Sequence, residues 1–304
     1  MNEISNEPLG YKIVILTDKK KHKHMITLKE KGRFSSQYGY IDHDVIAAVP
    51  SGSVVYTVGG GKTSGGHPYR VFDVTYRDYV MHIKRQAQII YPKDTAAMLM
   101  WGDIAPHQNI LESGVGQGGL SMAVLRALGG TGKLTSYELR QDFADMSKKF
   151  ISTYFGYSPE NHSIEVRDIY KGIDGVYDRV LLDLPEPWQV TPHLKDALQN
   201  GGMLVSYIPT VLQVKSMVDS IRACGYFDEI ETFELILRPW KVEGLSVRPE
   251  MWIYNHSAFI VTARKCIPME ARPLPEAEAS TLPQGEGGEM EEDGNDSNEE
   301  SFPL

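Results

Sequence analysis

Along the chain the spacing of apolar positions changes once, near residue 74. Before it the pattern is short and alternating. YKIVILTD (11–18) predicts a strand, KKKHKH (19–24) a basic turn, and MITLKEKGRF (25–34) a second strand. VIAAVPSGSVVYTVGGG (45–61) continues the pattern, broken at Pro-Ser-Gly and at the glycine triplet. Strands this short and this closely spaced predict a small barrel or curled sheet over residues 11–78. After residue 74 the texture turns helical in VTYRDYV…MWGDI, and strand and helix patterns then alternate. NILESGVG, KLTSYEL, SIEVRDI, RVLLDL and GMLVSYIP read as strands. GLSMAVLRALG, DFADMSKKFISTYF (capped by Asp142), TPHLKDALQNG and VLQVKSMVDSIRACG read as helices. Two long late strands, FDEIETFELILRPW and HSAFIVTARK, are expected to pair antiparallel at one edge. The expectation is an α/β fold: a Rossmann-like sheet over residues 79–266, carrying helices on both faces, behind a small N-terminal β domain.

Composition adds two facts. The 304 residues carry a formal charge of −9, but eleven acids and the single basic residue Arg272 fall between Ile267 and Leu304. That segment is expected to be a disordered acidic tail, and residues 1–10 a flexible N-terminus. The remaining 266 residues are close to neutral, yet Lys12 to Arg33 hold eight Lys or Arg against Asp18 and Glu30. A solvated hairpin and a phosphate-facing surface both fit that bias. The two cysteines are unclustered and the histidines show no ligand spacing, so neither a disulfide framework nor a metal site is expected. MNEISNEPLGYK is not a signal-peptide pattern and no apolar run reaches membrane-spanning length. A cytoplasmic location without membrane attachment follows as the expectation.

Chemistry concentrates at successive strand ends. LESGVGQGGLS places Gly114, Gly116, Gly118 and Gly119 between a strand and a helix, a turn that lets a ligand approach the backbone. The next strand ends in Glu138, suited to both hydroxyls of a ribose. The third ends in Asp168, suited to the amine of an adenine. Each acid alone is equally consistent with a helix cap; the three ends together describe an adenosine site. NAD and S-adenosylmethionine both contain adenosine. The fourth strand ends in Asp183, followed by LPEPW, which suits an aromatic ligand better than hydride transfer. Trp188 either walls that pocket or packs in the core, and core packing is the favoured of the two.

IKRQAQIIYPKD (83–94), LESGVGQGG, SYELR and LLDLPEPW, in this order, resemble the tRNA (adenine-N1)-methyltransferases that modify position 58 of the T-loop. The similarity runs from about Gly39 to Lys265, taking in YIDHDVI and RPEMWIYNHSAFIVTARK. It implies a class I methyltransferase using S-adenosylmethionine, acting on tRNA and assembling as a homotetramer. By position it implies that Gly116, Gln117, Gly118, Gly119 and Leu120 line the methionine and ribose side of the cofactor. Glu138 would take the ribose hydroxyls, and Phe143 and Asp168 would flank the adenine. Asp183 would face cofactor and target base, with Tyr91 in the segment covering the site. The chain departs from the family at Gln117, often Ser, and at Ser257, often Thr. Adenine N1 can attack a sulfonium methyl directly, and the product ring is cationic. A carboxylate at Asp183, accepting from the exocyclic amine, would compensate that charge. Candidate phosphate contacts are the Lys19–Lys31 hairpin, Lys84, Arg85 and Lys93. The rival expectations are a methyltransferase of another substrate, an NAD-dependent oxidoreductase, and a non-catalytic RNA-binding subunit.

Overall fold

The structure is a computed structural model and describes residues 12–59, 66–83, 86, 88–251, 253 and 255–268. Lys84, Arg85, the first residues and the acidic tail beyond residue 268 lie outside the described residues.

The N-terminal part holds β1 (Ile13–Thr17), β2 (Lys23–Thr27), β3 (Arg33–Ser36), β4 (Gly39–Asp42), the short helix α1 (His43–Ala47), β5 (Val54–Tyr56), β6 (Val58–Gly59) and β7 (Pro68–Asp73). They form a four-stranded sheet ordered β2-β1-β7-β5 and a three-stranded sheet ordered β3-β4-β6. The single strand expected over residues 25–34 is two strands with a turn between them, in which the Gly32 amide donates to the Lys29 carbonyl at 2.9 Å and the Lys29 amide to the His43 ring at 2.9 Å. Val14, Leu16, Val55, Tyr69 and Val71 supply one face of the larger sheet to a core with Leu28, Phe34, Ile41 and Ile46.

The rest of the chain runs α2 (Tyr76–His82), α3 (Pro92–Trp101), β8 (Asn109–Ser113), α4 (Gly119–Leu128), β9 (Lys133–Glu138), α5 (Gln141–Phe155), β10 (His162–Val166), β11 (Tyr177–Leu182), α6 (Leu194–Ala197), β12 (Leu198–Ile208), α7 (Val211–Cys224), β13 (Phe227–Phe233), β14 (Trp240–Glu243), β15 (Ser246–Pro249) and β16 (Phe259–Lys265). Seven of these strands form one sheet ordered β10-β9-β8-β11-β12-β16-β13. The first five are parallel, and β16 runs antiparallel between β12 and β13, which gives the expected antiparallel edge. Neighbouring residues enter opposite cores, as a two-residue period requires. Ile110, Leu181, Val205 and Ile260 pack with α3 and α4 on one face; Leu111, Leu182, Leu204 and Val261 pack with α7 on the other. Strands covered on both faces explain the near-continuous apolar runs.

Three local expectations are corrected. TPHLKDALQNG is not a helix: only one turn, α6, forms before β12 begins at Leu198. A single turn gains too little against its nucleation cost, and pairing of Leu198 with Tyr177 draws the segment into the sheet. FELILRPW leaves the sheet after Phe233 and returns as the β14–β15 hairpin. Helix α5 starts with Arg140, not Asp142, at its N-cap, and the Asp142 carboxylate takes the Arg140 guanidinium instead. Helix α2 runs across residue 78, where Lys23 of β2 pairs with Asp78 at 2.6 Å. No helix among the described residues is long and apolar enough to cross a membrane.

Candidate active site

The sheet order reverses between β8 and β11: β9 and β10 extend from one side of β8, while β11 lies on the other. Ligands of open α/β sheets bind in the crevice outside the strand ends at such a point. Here the Asp183 amide donates to the Ser113 carbonyl at 2.9 Å, tying the ends of β8 and β11 together. Gly114 makes that approach possible. Its φ is +88°, and a Cβ there would collide with the Asp183 carbonyl oxygen.

The crevice is a cavity of about 370 Å³. Gly114 and Gly116 form one wall, Glu138, Leu139 and Phe143 a second, Asp168, Ile169 and Tyr170 a third, and Asp183, Leu184 and Pro185 a fourth. Gly116 is open on its ligand side, with nothing within 4 Å of an added Cβ. Glu138 is anchored by two backbone amides, Arg140 at 3.0 Å and Gly116 at 3.4 Å. The Asp168 carboxylate accepts the Tyr170 amide at 3.1 Å, which fixes its direction. The Arg140 guanidinium lies 4.3 Å above the Phe143 ring and holds its orientation.

Asp183 differs from both other acids. Its carboxylate has no hydrogen bond or ion pair among the described residues, and burial pushes its pKa up to about 7. One residue before Ser113, Glu112 is fully buried beneath the glycine turn. The hydroxyls of Ser121 and Ser136 donate to one of its oxygens at 2.6 and 2.8 Å, and the other oxygen has no partner. Burial pushes Glu112 up to about 7 as well, helped by Asp183 and Glu138 nearby. Glu138, Asp168 and Asp183 line the crevice together with Arg140 and Arg167, whose guanidiniums are paired with Asp142 and Asp174, so the acids remain to meet a ligand that brings positive charge.

The pattern defining the "tRNA methyltransferase complex GCD14 subunit" family matches residues 69–258, and a TrmI-like N-terminal pattern matches residues 12–55. The chain belongs to this family. It is 31% identical over 252 residues to the tRNA (adenine(58)-N(1))-methyltransferase TrmI of Thermus thermophilus, covering 83% of this chain and 96% of that protein. It is 29% identical to the tRNA (adenine(57)-N(1)/adenine(58)-N(1))-methyltransferase TrmI of Methanocaldococcus jannaschii, over 67% of this chain and 80% of the other. Among solved structures, a SAM-dependent O-methyltransferase from Thermotoga maritima superposes with a TM-score of 0.80 at 28% identity, covering 89% of this chain and 98% of that one. TrmI from Aquifex aeolicus shares the fold, with a TM-score of 0.72 at 22% identity over 86% of this chain and 100% of that one.

Of the residues singled out in this family member's sequence, Gly116, Glu138, Phe143, Asp168 and Asp183 meet in the crevice. Gln117, Gly118, Gly119 and Leu120 do not line it. Gln117 is buried, and its side-chain oxygen accepts the Gln86 amide at 3.1 Å, tying the turn to the segment before α3. Gly118 lies against Ile151, the Gly119 carbonyl accepts the Tyr76 hydroxyl at 2.9 Å, and Leu120 is in the core. Trp188 packs against the α7-side core, its carbonyl holding the Thr191 and Ser220 hydroxyls. Tyr91 takes the N-cap position of α3, beside a separate small cavity with Arg77 and Met81.

Lys93 is a correction. It was expected to meet phosphate, but it is buried and its ammonium donates to Asp94 (2.6 Å), Ser257 (2.6 Å) and the Leu235 carbonyl (2.8 Å). Ser257, where the family often has Thr, keeps the hydroxyl that this network needs and passes it on to Asp94 at 2.7 Å. Sequence reasoning missed Glu112, Tyr137, Leu139, Ile169 and Tyr170. Glu112 carried one signal: a charged residue inside an otherwise apolar strand. No group of His, Cys, Asp or Glu that could hold a metal ion occurs among the described residues.

Proposed function

We propose that this protein transfers a methyl group from S-adenosylmethionine to N1 of adenine 58 in the T-loop of tRNA. The observation that carries the reading is the Asp183 carboxylate, desolvated and without a paired cation among the described residues, in the lining of the glycine-bearing crevice.

The residues present fit the cofactor. Glu138, directed by the Gly116 and Arg140 amides, is the acceptor for the two ribose hydroxyls. Asp168 accepts from the adenine amine, and Leu139, Phe143 and Ile169 supply the apolar walls a purine ring requires. Gly116 leaves room for the chain that links ribose and sulfonium. When bound, S-adenosylmethionine supplies an electrophilic methyl group on a cationic sulfonium.

Asp183 does the rest. Its carboxylate accepts a hydrogen bond from the exocyclic amine of the target adenine, which turns the N1 lone pair toward the crevice. As N1 gains the methyl group, positive charge spreads to that amine, and the adjacent carboxylate stabilises it or takes its proton. No described residue pairs with the Asp183 carboxylate, which suits it to this role. Pro185 and Pro187 stiffen the segment after it. The target base must leave its stack, at about a few kcal/mol, and binding energy from the rest of the tRNA offsets that cost. A homotetrameric assembly and a cytoplasmic location accompany this reading.

The test is mass spectrometry of nucleosides from unmodified tRNA incubated with the protein and isotopically labelled S-adenosylmethionine. Labelled 1-methyladenosine at position 58 is expected. Cofactor binding without any 1-methyladenosine would overturn the substrate, and binding of NAD in place of S-adenosylmethionine would overturn the reaction.

A further inference from the structure

The four-stranded N-terminal sheet has a second face that its own core does not use. Residues paired across β1, β5 and β7 alternate, so Val55, Tyr69 and Val71 point into the core while Val54, Tyr56, Arg70 and Phe72 point away from it. Along β1 and β2 this face is covered, with Ile15 buried and Ile13 and Met25 packed against the core of the large sheet; along β5 and β7 it is open, where an antiparallel sheet face is ordinarily polar. Here it carries two exposed aromatic rings: Tyr56 is 56% and Phe72 41% exposed. The rings line an open groove of about 660 Å³, edged by Lys19 and Lys21 from the β1–β2 turn and by Arg70 between the rings.

Charge points the same way. Lys19 and Lys21 are exposed and enter no ion pair among the described residues. Arg70 gives one guanidinium nitrogen to the Gly52 carbonyl at 2.7 Å and remains exposed. The groove's acid, Asp18, is held by the amide and ring of His22 at 2.9 and 3.0 Å. The lining is therefore cationic, with aromatic faces between the cations. Sheet faces of this kind stack unpaired bases on the rings and hold phosphates with the cations. Protein–protein interfaces are depleted in lysine, and Lys19 and Lys21 both edge this groove.

We propose that this groove binds a segment of the tRNA substrate with unstacked bases, Tyr56 and Phe72 stacking on the bases and Lys19, Lys21 and Arg70 contacting phosphates. The proposal rests on the tRNA reading above and assigns it a second contact surface, on the N-terminal sheet rather than at the crevice.

The test measures equilibrium binding of unmodified tRNA to the full chain across a salt series, with S-adenosylmethionine affinity and oligomeric mass as parallel readouts. Tyr56→Leu/Phe72→Leu keeps apolar bulk at exposed positions and removes the rings. It is expected to weaken tRNA binding at least about ten-fold, leaving the salt dependence, cofactor affinity and mass unchanged. Tyr56→Phe/Phe72→Tyr keeps both rings and is expected to bind tRNA within about two-fold of wild type. Lys19→Ala/Lys21→Ala is expected to weaken binding and lower the salt slope by about two. Unchanged tRNA affinity in the leucine variant overturns the proposal. So does a changed oligomeric mass with tRNA affinity intact, which would make the face an interface between copies. Loss of cofactor affinity along with tRNA affinity would also overturn it, the rings then holding the fold. Wild-type protein that binds no tRNA would instead overturn the proposed activity, and the groove with it.

Discussion

Asp94 and Asp183 are both removed from water, and the chain treats them in opposite ways. Asp94 is fully buried, and every strong group around it answers its charge. The Lys93 ammonium and the Ser257 hydroxyl bind it directly, and the Tyr207 hydroxyl lies 3.4 Å away. Asp183 has no such company among the described residues, and burial alone sets its shift. Tyr207 feels both: burial raises its pKa most, followed by the charge of Asp94 and then that of Asp183. The two acids are thus neighbours in one region, one closed by protein partners and one left open for a ligand. The role of a buried carboxylate is set by its partners. A compensated one builds structure, and an uncompensated one stores a capacity to compensate something else.

Removing each acid separates the two roles. Asp183→Ala is expected to lower single-turnover methylation of unmodified tRNA by about 10²–10⁴-fold. The affinity for S-adenosylmethionine should stay within a few fold, because Glu138 and Asp168 make the ribose and adenine contacts. Survival of turnover would show that the carboxylate plays no part in the chemistry. The same variant should not unfold the protein, since no partner is left stranded.

Asp94→Ala should do the reverse. It leaves the buried Lys93 ammonium with hydroxyl and carbonyl partners only, and it is expected to cost about 3–5 kcal/mol in urea denaturation. Lys93→Met/Asp94→Leu removes both charges together and should recover most of that loss. If the double variant were as unstable as the single one, packing and not charge pairing would be what Asp94 contributes.

The two aspartates were unequally legible. Asp183 could be found because a strand pattern places it: an apolar run, an acid, and two prolines put a carboxylate at a strand end. The same logic located Glu138 and Asp168, and the alternation of strands and helices gave the sheet on which they meet. Lys93 and Asp94 carry no such mark. Their partners come from Leu235 and Ser257, more than 140 positions away, and only the insertion of β16 beside β12 brings these together. A lysine beside a helix start reads as a phosphate contact until those partners are placed. Helix α6 was obscure for a related reason. Pairing of Leu198 in the large sheet overrode what the local pattern favoured.

A finer test uses pH. In the folded protein Asp183 titrates near 7, against an ordinary value of 3.8. Between those limits the folded state holds more protons than the unfolded one, so this group's contribution to stability declines as pH rises from about 4 to 7. Asp183→Asn removes the titrating group. It is expected to flatten the stability profile over that window and to leave the protein roughly 1–3 kcal/mol more stable than wild type at pH 8. Glu112, also near 7, adds a second slope of the same sign, which Asp183→Asn lessens, because the Asp183 charge helps raise Glu112, and Glu112→Gln removes. Activity runs the other way: the ionised form accepts the amine proton, so kcat/KM should rise through about pH 7. The cationic sulfonium lowers the pKa of Asp183 once bound, which places the inflection in kcat below the one in kcat/KM. Coincident inflections would mean that Asp183 and the sulfonium do not sense each other's charge, and the crevice geometry would then need another occupant.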